Sequence, residues 1–181
     1  MLKKSLKIFF GLLIILMLMI ALLLSDFNPI YKNEEFVLIT KEVQKAQKED
    51  LHSFISIYNK IYKKIEEPNC PCQNTANKIT NIHYTSLTKR ALYWLKIEKE
   101  FSHDECLKFV LVHYDFGYRK IGIKTASKFF FNKSIEELNE REKITLIAML
   151  KNSGLYNPIR NKKGVKNRVD LLERISHNQN K

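Results

Sequence analysis

One uncharged stretch near the N-terminus constrains this chain more than any other feature. The sequence IFFGLLIILMLMIALLL, Ile8 to Leu24, contains seventeen residues and no charge. A helix rises about 1.5 Å per residue, so a helix of this length comes close to crossing the hydrocarbon layer of a bilayer. The stretch ends without the small residues that a signal peptidase selects, which favours a retained anchor over a cleaved signal peptide.

Lysine residues indicate on which side of the membrane the N-terminus lies. Lys3, Lys4 and Lys7 precede the apolar stretch, and positive charge beside a span is retained in the cytoplasm. The rest of the chain is therefore expected on the extracytoplasmic side. The predicted organisation is a cytoplasmic tail, a single-pass anchor, a linker, one folded domain and a short tail, at residues 1–7, 8–25, 26–36, 37–177 and 178–181.

The exported part of the chain is strongly basic. The formal charge is +12, and only three of the 31 lysine and arginine residues precede the apolar stretch. A basic surface attracts anionic partners. Outside the cytoplasm nucleic acid is not expected as a partner, whereas anionic lipid headgroups or a lipid-linked diphosphate are.

Apolar residues recur every three or four positions through most of the domain, which predicts a predominantly α-helical fold. Helices are expected near residues 54–65, 87–101, 102–113, 121–129, 139–150 and 165–176. Two of them begin with capping boxes, Ser102 with Glu105 and Asn139 with Glu142. The stretch EFVLIT is expected to be extended, and residues 66–78 are expected to form a loop.

The cysteine and histidine residues lack a strong metal-binding pattern. The five histidines have no ligand spacing, and Cys70-Pro71-Cys72, which could bind zinc together with His83, lacks a second pair of ligands. Three cysteines allow one disulfide bridge, to Cys106, and leave one cysteine unpaired. We therefore predict no metal site and interpret Cys70 and Cys72 as loop residues.

The segment from Leu95 to Pro158 resembles the peptidoglycan glycosyltransferases, bacterial enzymes that polymerise the lipid-linked disaccharide of the cell wall. The likeness is carried, in order, by Glu98–Ser102, Phe109–Val112, Phe116-Gly117, Gly122–Ser127, Phe130-Phe131, Leu138–Lys143 and Tyr156-Asn157-Pro158. The resemblance implies an all-α, lysozyme-like glycosyltransferase domain of the monofunctional type, held at the outer face of the bacterial cytoplasmic membrane.

An acidic residue in the N-terminal half extends the resemblance. On composition alone Glu49 is an ordinary surface carboxylate. However, VQKAQKED is similar to the family's first motif, and this match places Glu49 at the position of the catalytic base. CQNTANK is similar to the second motif, and basic residues further on could contact a diphosphate. The resemblance thus implies substrate-binding roles for Gln73, Asn74, Lys78, Lys89 and Arg90.

Two positions depart from the family pattern. Arg90 stands where the third motif has a second Glu, and Val112 stands where the fourth motif ends in Asn. An Arg at the first position removes an acceptor that could hold a divalent metal, and it could form an ion pair with Glu49, yet it also favours diphosphate binding. The sequence therefore leaves open whether the protein is an active enzyme and whether it uses a divalent metal.

Three functional hypotheses remain. The first is an anchored glycosyltransferase of reduced activity that polymerises lipid II, the lipid-linked disaccharide, with Glu49 as base. The second is a non-catalytic relative that binds lipid II or other cell-wall synthesis proteins and regulates assembly. The third is a helical interaction domain that shares only the fold. Phe54 and Phe129–Phe131 are candidates for lipid contact, although core packing is favoured for the Phe run.

Overall fold

The computed structural model describes residues 2–63, 65, 70–79 and 86–177. Within these ranges the chain is helical, with no strand beyond an isolated bridge between Asp115 and Ile121. The helices are α1 (Leu2–Leu23), α2 (Glu34–Ala46), α3 (His52–Tyr62), α4 (Pro71–Ile79), α5 (Leu87–Glu100), α6 (His103–His113), α7 (Ile123–Phe131), α8 (Glu140–Lys151) and α9 (Lys162–His177), and a 3-10 turn covers Pro29–Lys32. The prediction of an all-α domain is confirmed, and the arrangement agrees with a lysozyme-like fold.

The first helix is long and apolar enough to cross a membrane. Its stretch Leu6–Leu23 meets that condition by length and composition, and none of this stretch is buried against the rest of the protein. Because the described part of the domain does not cover these apolar side chains, a bilayer is the environment that would cover them. α1 therefore coincides with the anchor that the sequence predicts.

A buried lysine joins the end of α1 to the folded domain. Lys96 on α5 has only 4% of its side chain exposed, and its Nζ atom contacts Asp26 and lies 2.9 Å from Glu100 Oε1. The same ammonium donates a hydrogen bond to the carbonyl of Leu24 at 3.1 Å. Burial lowers the pKa of Lys96, but the two carboxylates outweigh burial and raise it overall. The lysine thus stays charged and fixes the linker against α5.

Two segments are helical where the sequence suggested otherwise. The stretch EFVLIT lies inside α2, whose first turn is capped by the Asn33 side chain. Its residues Phe36 and Ile39 are buried together with Val43, at helical spacing. Residues 71–78, predicted as loop, lie in α4, in which Pro71 occupies the first helical position. The rest of that predicted loop, at residues 66–69, lies outside the described ranges.

Helix α6 separates two apolar cores. Its residues Leu107 and Leu111 face a core formed with α3, α7, α8 and α9. On its other side, Cys106 and Phe109 face a core formed with α2, α4 and α5. Both predicted capping boxes are present, at the starts of α6 and α8. Burial on both faces makes α6 the central helix of the described domain.

A disulfide bridge between Cys72 and Cys106 links α4 to α6, and Cys70 is free. The structure therefore contains the single bridge to Cys106 that the sequence allows, but Cys72 is a helical residue and not a loop residue. Phe54 is only 1% exposed and belongs to the core, so the proposed lipid contact at this residue is wrong. In the Phe run, Phe130 and Phe131 pack against the core, whereas Phe129 is 40% exposed.

Candidate active site

Glu49 lies in the turn between α2 and α3. Its backbone N–H donates to the carbonyl of Ala46 at 3.2 Å, which closes the last turn after α2. Leu51 follows as a fully buried core residue, and Asp50 accepts a hydrogen bond from the backbone N–H of His52 at the start of α3. These contacts fix the backbone on both sides of Glu49. The point from which the Glu49 side chain extends is therefore set by the fold.

The Glu49 side chain lines a pocket of about 180 Å³, which we call the Glu49 pocket. Three segments build it: the α2–α3 turn, the end of α6 and the start of α7. The pocket is lined by Glu49, Leu51, Val112, Ile121, Gly122, Ile123, Lys124 and Thr125. Leu51, Val112, Ile121 and Ile123 make much of this lining apolar. Its charged groups are the carboxylate of Glu49 and the ammonium of Lys124.

Gly122 allows α7 to begin close to α6. Its φ angle is +83°, and a Cβ atom at this position would lie only 2.6 Å from the carbonyl oxygen of Val112. Any other residue would therefore meet both backbone strain and a collision. The Gly122 N–H also donates to the carbonyl of Tyr114 at 2.9 Å. This close approach brings Lys124 to the same pocket as Glu49.

The Glu49 carboxylate forms an ion pair with Lys124. Glu49 Oε2 lies 2.5 Å from Lys124 Nζ, and the two side chains are 36% and 61% exposed. The hydrogen bond to Glu49 raises the pKa of Lys124 above its ordinary value. Because both groups reach solvent, the pair is screened and contributes only modestly to stability. The pair matters because the Lys124 ammonium contacts the carboxylate of Glu49 directly.

The structure brings together only some of the residues that the sequence selects. Val112 is half-buried and lines the same pocket as Glu49. Arg90 instead donates from Nη2 to Asn77 Oδ1 at 3.3 Å, on α4. Lys89 pairs with Glu35 at 3.0 Å. The cation beside Glu49 is Lys124, and neither Lys89 nor Arg90 contributes to the described lining of the pocket.

The α4 residues face a different concavity. Gln73 lines a groove of about 660 Å³ with Asn59, Trp94 and Asp104, and Asn74 lines a small adjoining cavity. The groove also contains Tyr58 and Tyr62, whose rings lie 4.3 Å apart. Aromatic faces beside amide and carboxylate groups provide both apolar and hydrogen-bonding contacts. The side chain of Lys78 lies outside the part of the chain that is described.

Lys124 is the functional candidate that the sequence did not reveal. It lies within the segment Gly122–Ser127, which was matched for its glycine and alanine residues. Nothing in the local sequence indicates that this lysine meets a glutamate from the α2–α3 turn.

Comparison with known proteins identifies relatives of this domain. The family model described as Transglycosylase matches residues 72–176. Penicillin-binding protein 1F of Bacillus subtilis (strain 168) is 29% identical over 119 residues, which are 64% of this chain and 17% of that protein. Penicillin-binding protein 1A of Rickettsia bellii (strain RML369-C) is 33% identical over 95 residues, or 52% of this chain and 12% of that protein. The chain therefore spans less than a fifth of the length of these relatives.

The family match covers most of the folded domain. It runs from the first turn of α4 to the end of α9, and it includes Val112 and Lys124. Glu49 precedes the matched residues, although it lines a pocket with residues inside them. More than half of the chain lies within the match. The chain belongs to the transglycosylase family.

Proposed function

We propose that this protein is a membrane-anchored peptidoglycan glycosyltransferase of low activity that polymerises lipid II, with Glu49 as the catalytic base. Membership of the transglycosylase family supports the class of reaction. The observation that carries the assignment is the position of Glu49 in a pocket built partly from the matched residues Val112 and Lys124. A carboxylate at this point can contact a substrate held against α6 and α7.

The proposed chemistry requires one proton transfer. The 4-hydroxyl of one lipid-linked sugar attacks the anomeric carbon of another, with inversion, and a polyprenyl diphosphate leaves. Glu49 accepts the proton of the attacking hydroxyl. A positioned base of this kind typically contributes about 10²–10⁴-fold to the rate. The 36% exposure of the Glu49 side chain leaves room for that hydroxyl to approach the carboxylate.

Lys124 has two opposing effects on this reaction. Its ammonium contacts Glu49 Oε2, one of the two carboxylate oxygens that could accept the proton of a substrate hydroxyl, so it competes with the substrate at that atom. Once displaced, the same ammonium can donate hydrogen bonds to diphosphate oxygens. We assign sugar and diphosphate contacts further along the surface to Gln73, Asn74, Lys78, Lys89 and Arg90. Competition by Lys124 is the physical reason for proposing low activity.

The Glu49 pocket does not fit a divalent cation. Mg²⁺ and Ca²⁺ prefer several oxygen ligands, and carboxylates are the strongest among them. The described lining of the pocket offers one carboxylate, and an ammonium already lies 2.5 Å from it. We therefore assign no step of the proposed reaction to a metal.

We assign the protein to the bacterial cytoplasmic membrane, with the domain on the outer side. α1 would hold the domain at the surface in which a lipid-linked substrate is embedded, and Lys96 would restrict the distance between anchor and domain. Tethering at the same surface raises the effective concentration of the substrate. Lipid II and other cell-wall synthesis proteins are the partners that this assignment implies.

A second candidate function follows from the same pocket. Val112 gives the pocket an apolar wall where the resemblance implies an asparagine, and Lys124 neutralises the proposed base. Both features disfavour turnover, whereas the Lys124 ammonium can still contact an anionic precursor. The alternative is therefore a non-catalytic protein that binds lipid II and regulates cell-wall assembly.

The two candidates differ in a direct assay. Full-length protein in detergent is mixed with labelled lipid II, and the products are separated by length while binding is measured in parallel. Glycan chains that lengthen with time support the enzyme. Saturable binding without chain growth supports the regulator, and the absence of both chain growth and binding would contradict both proposals.

A further inference from the structure

Three cysteines and a histidine meet at the start of α4. Cys70 precedes the helix, and Cys72 lies in its first turn, bonded to Cys106 on α6. The sulfur atoms of Cys70 and Cys72 and a ring nitrogen of His103 all lie within 4.8 Å of one another. A free thiol therefore stands beside an existing disulfide. That arrangement has the parts needed for thiol–disulfide exchange.

His103 is placed to accept the proton of the free thiol. Its Nε2 atom lies 3.6 Å from the sulfur of Cys70. The same nitrogen lies 3.5 Å from Glu98 Oε1, so a carboxylate is at hand to stabilise the imidazolium that forms. A thiol next to an imidazole that can take its proton is an arrangement that activates a weak nucleophile.

The free thiol is accessible from outside. Cys70 is half-buried, and it lines the groove of about 660 Å³ that also contains Gln73 and Trp94. His103 is more open, with 62% of its side chain exposed. Small reagents in solution can therefore reach Cys70 and His103, whereas Cys72 and Cys106 are fully buried.

We propose that Cys70 is a nucleophilic thiol that exchanges with the Cys72–Cys106 disulfide. His103 Nε2 takes the proton from the Cys70 thiol, and the resulting thiolate attacks the sulfur of Cys72. A Cys70–Cys72 bond forms while the Cys72–Cys106 bond breaks, and the electron pair leaves on the sulfur of Cys106, which takes up a proton. One thiol and one disulfide are present before and after the step, so it requires no added oxidant or reductant.

Exchange would remove the covalent link between α4 and α6. The disulfide is the covalent link between these helices, and the hydroxyl of Thr75 also donates to the carbonyl of Cys106 at 3.4 Å. Gln73 and Asn74 follow Cys72 directly on α4. The pairing of the three sulfurs would therefore affect the helix that borders the groove.

Disulfide mapping tests the proposal. Cys106→Ser removes the resident partner of Cys72, and the variant is treated with oxidised glutathione, alkylated and digested for mass spectrometry. We expect a Cys70–Cys72 disulfide in this variant, and a Cys72–Cys106 disulfide with alkylated Cys70 in the unchanged protein. Two free or separately glutathionylated cysteines in Cys106→Ser would overturn the proposal, as would one bound zinc ion and three free thiols in the unchanged protein as purified.

A second measurement does not depend on the folding of Cys106→Ser. Iodoacetamide labelling of Cys70 is timed in the native full-length protein and in His103→Gln, with His177→Gln as the matched control. We expect labelling to slow several-fold in His103→Gln and to stay unchanged in His177→Gln. Equal labelling rates in all three proteins would show that His103 does not activate the thiol, and would overturn the proposed step.

Discussion

Glu49 Oε2 and Lys124 Nζ lie 2.5 Å apart, although the two residues come from opposite halves of the chain. The α2–α3 turn presents the carboxylate, and the start of α7 presents the ammonium. An exposed ion pair of this kind contributes about 0–1 kcal/mol to stability. Its consequence is therefore chemical: the ammonium competes with a substrate hydroxyl for the proposed base.

Replacing Lys124 by Gln is expected to raise the rate of glycan polymerisation at saturating lipid II. The increase should not exceed about fivefold, because an exposed ion pair contributes no more than about 1 kcal/mol. The apparent affinity for lipid II should fall at the same time, since one phosphate donor is lost. The control is Lys128→Gln, on the same helix and outside the Glu49 pocket. A rate that falls in Lys124→Gln at saturating lipid II would contradict competition for Glu49.

Replacing Val112 by Asn is expected to increase turnover while lowering stability. The new amide would add a hydrogen-bonding group to the Glu49 pocket, at the position where the resemblance implies an asparagine. Val112 also packs against both cores, so the amide should cost about 1–3 kcal/mol of unfolding free energy. Val112→Thr is the control, because it adds polarity without an amide. Equal turnover in both variants would contradict a specific role for the amide.

Removing the disulfide with Cys72→Ser is expected to lower the unfolding free energy by about 2–4 kcal/mol, because the bridge closes a loop between residues 34 positions apart. Chemical unfolding followed by far-ultraviolet circular dichroism measures the change. A reducing agent should destabilise the unchanged protein by a similar amount and have little effect on Cys72→Ser. Cys70→Ser should remain as stable as the unchanged protein. Insensitivity of the unchanged protein to reductant would contradict a bridge between α4 and α6.

Acid is expected to weaken the start of α8 through Glu142. Partial burial raises the pKa of this carboxyl, but hydrogen bonds from Lys133 and from the Asn139 N–H outweigh burial and lower it below the ordinary 4.5. A lowered pKa in the folded state adds stability above about pH 4.5, and this contribution is lost as the pH falls through the folded-state pKa.

The test compares unfolding free energies of the unchanged protein and Glu142→Gln between neutral and acidic pH. We expect Glu142→Gln to be less stable at neutral pH by about 1 kcal/mol, with the difference shrinking as the pH falls. Glu140→Gln, at the first position of the same helix, is the control. A difference that persists unchanged in acid would show that the charge of Glu142 is not responsible.

Local sequence signals predicted the helices that carry their own start signals. Each capping box joins two residues that are three positions apart, Ser102 with Glu105 and Asn139 with Glu142. The starts of α6 and α8 were therefore predictable from the sequence. α2 was not, because Phe36 to Thr40 is rich in residues that favour strands, and packing against α6 decides the outcome. α4 was missed because its Pro, Asn and Thr residues are weak helix formers. The disulfide to α6 helps to hold it.

In the candidate site, too, local motifs in the sequence identified some residues, whereas contacts between distant segments were not predictable. Glu49 was found through a short motif and Val112 through a departure from one, and the structure places both in one pocket. Lys124 joins them only because Gly122 lets α7 approach α6, which depends on contacts between distant segments. Arg90, expected near Glu49, instead contacts Asn77 across the α4–α5 interface. Side-chain partners of this kind cannot be derived from spacing along the chain.

Polymerisation of labelled lipid II by Glu49→Gln tests the central claim most directly. Asp50→Asn is the matched control, because Asp50 lies next to Glu49 and outside the pocket, and an asparagine can still accept the His52 N–H. With Glu49 as base, Glu49→Gln should lose about 10²-fold or more of the polymerisation rate, whereas Asp50→Asn should keep it. A Glu49→Gln variant that polymerises as fast as the unchanged protein would contradict the proposed role of Glu49.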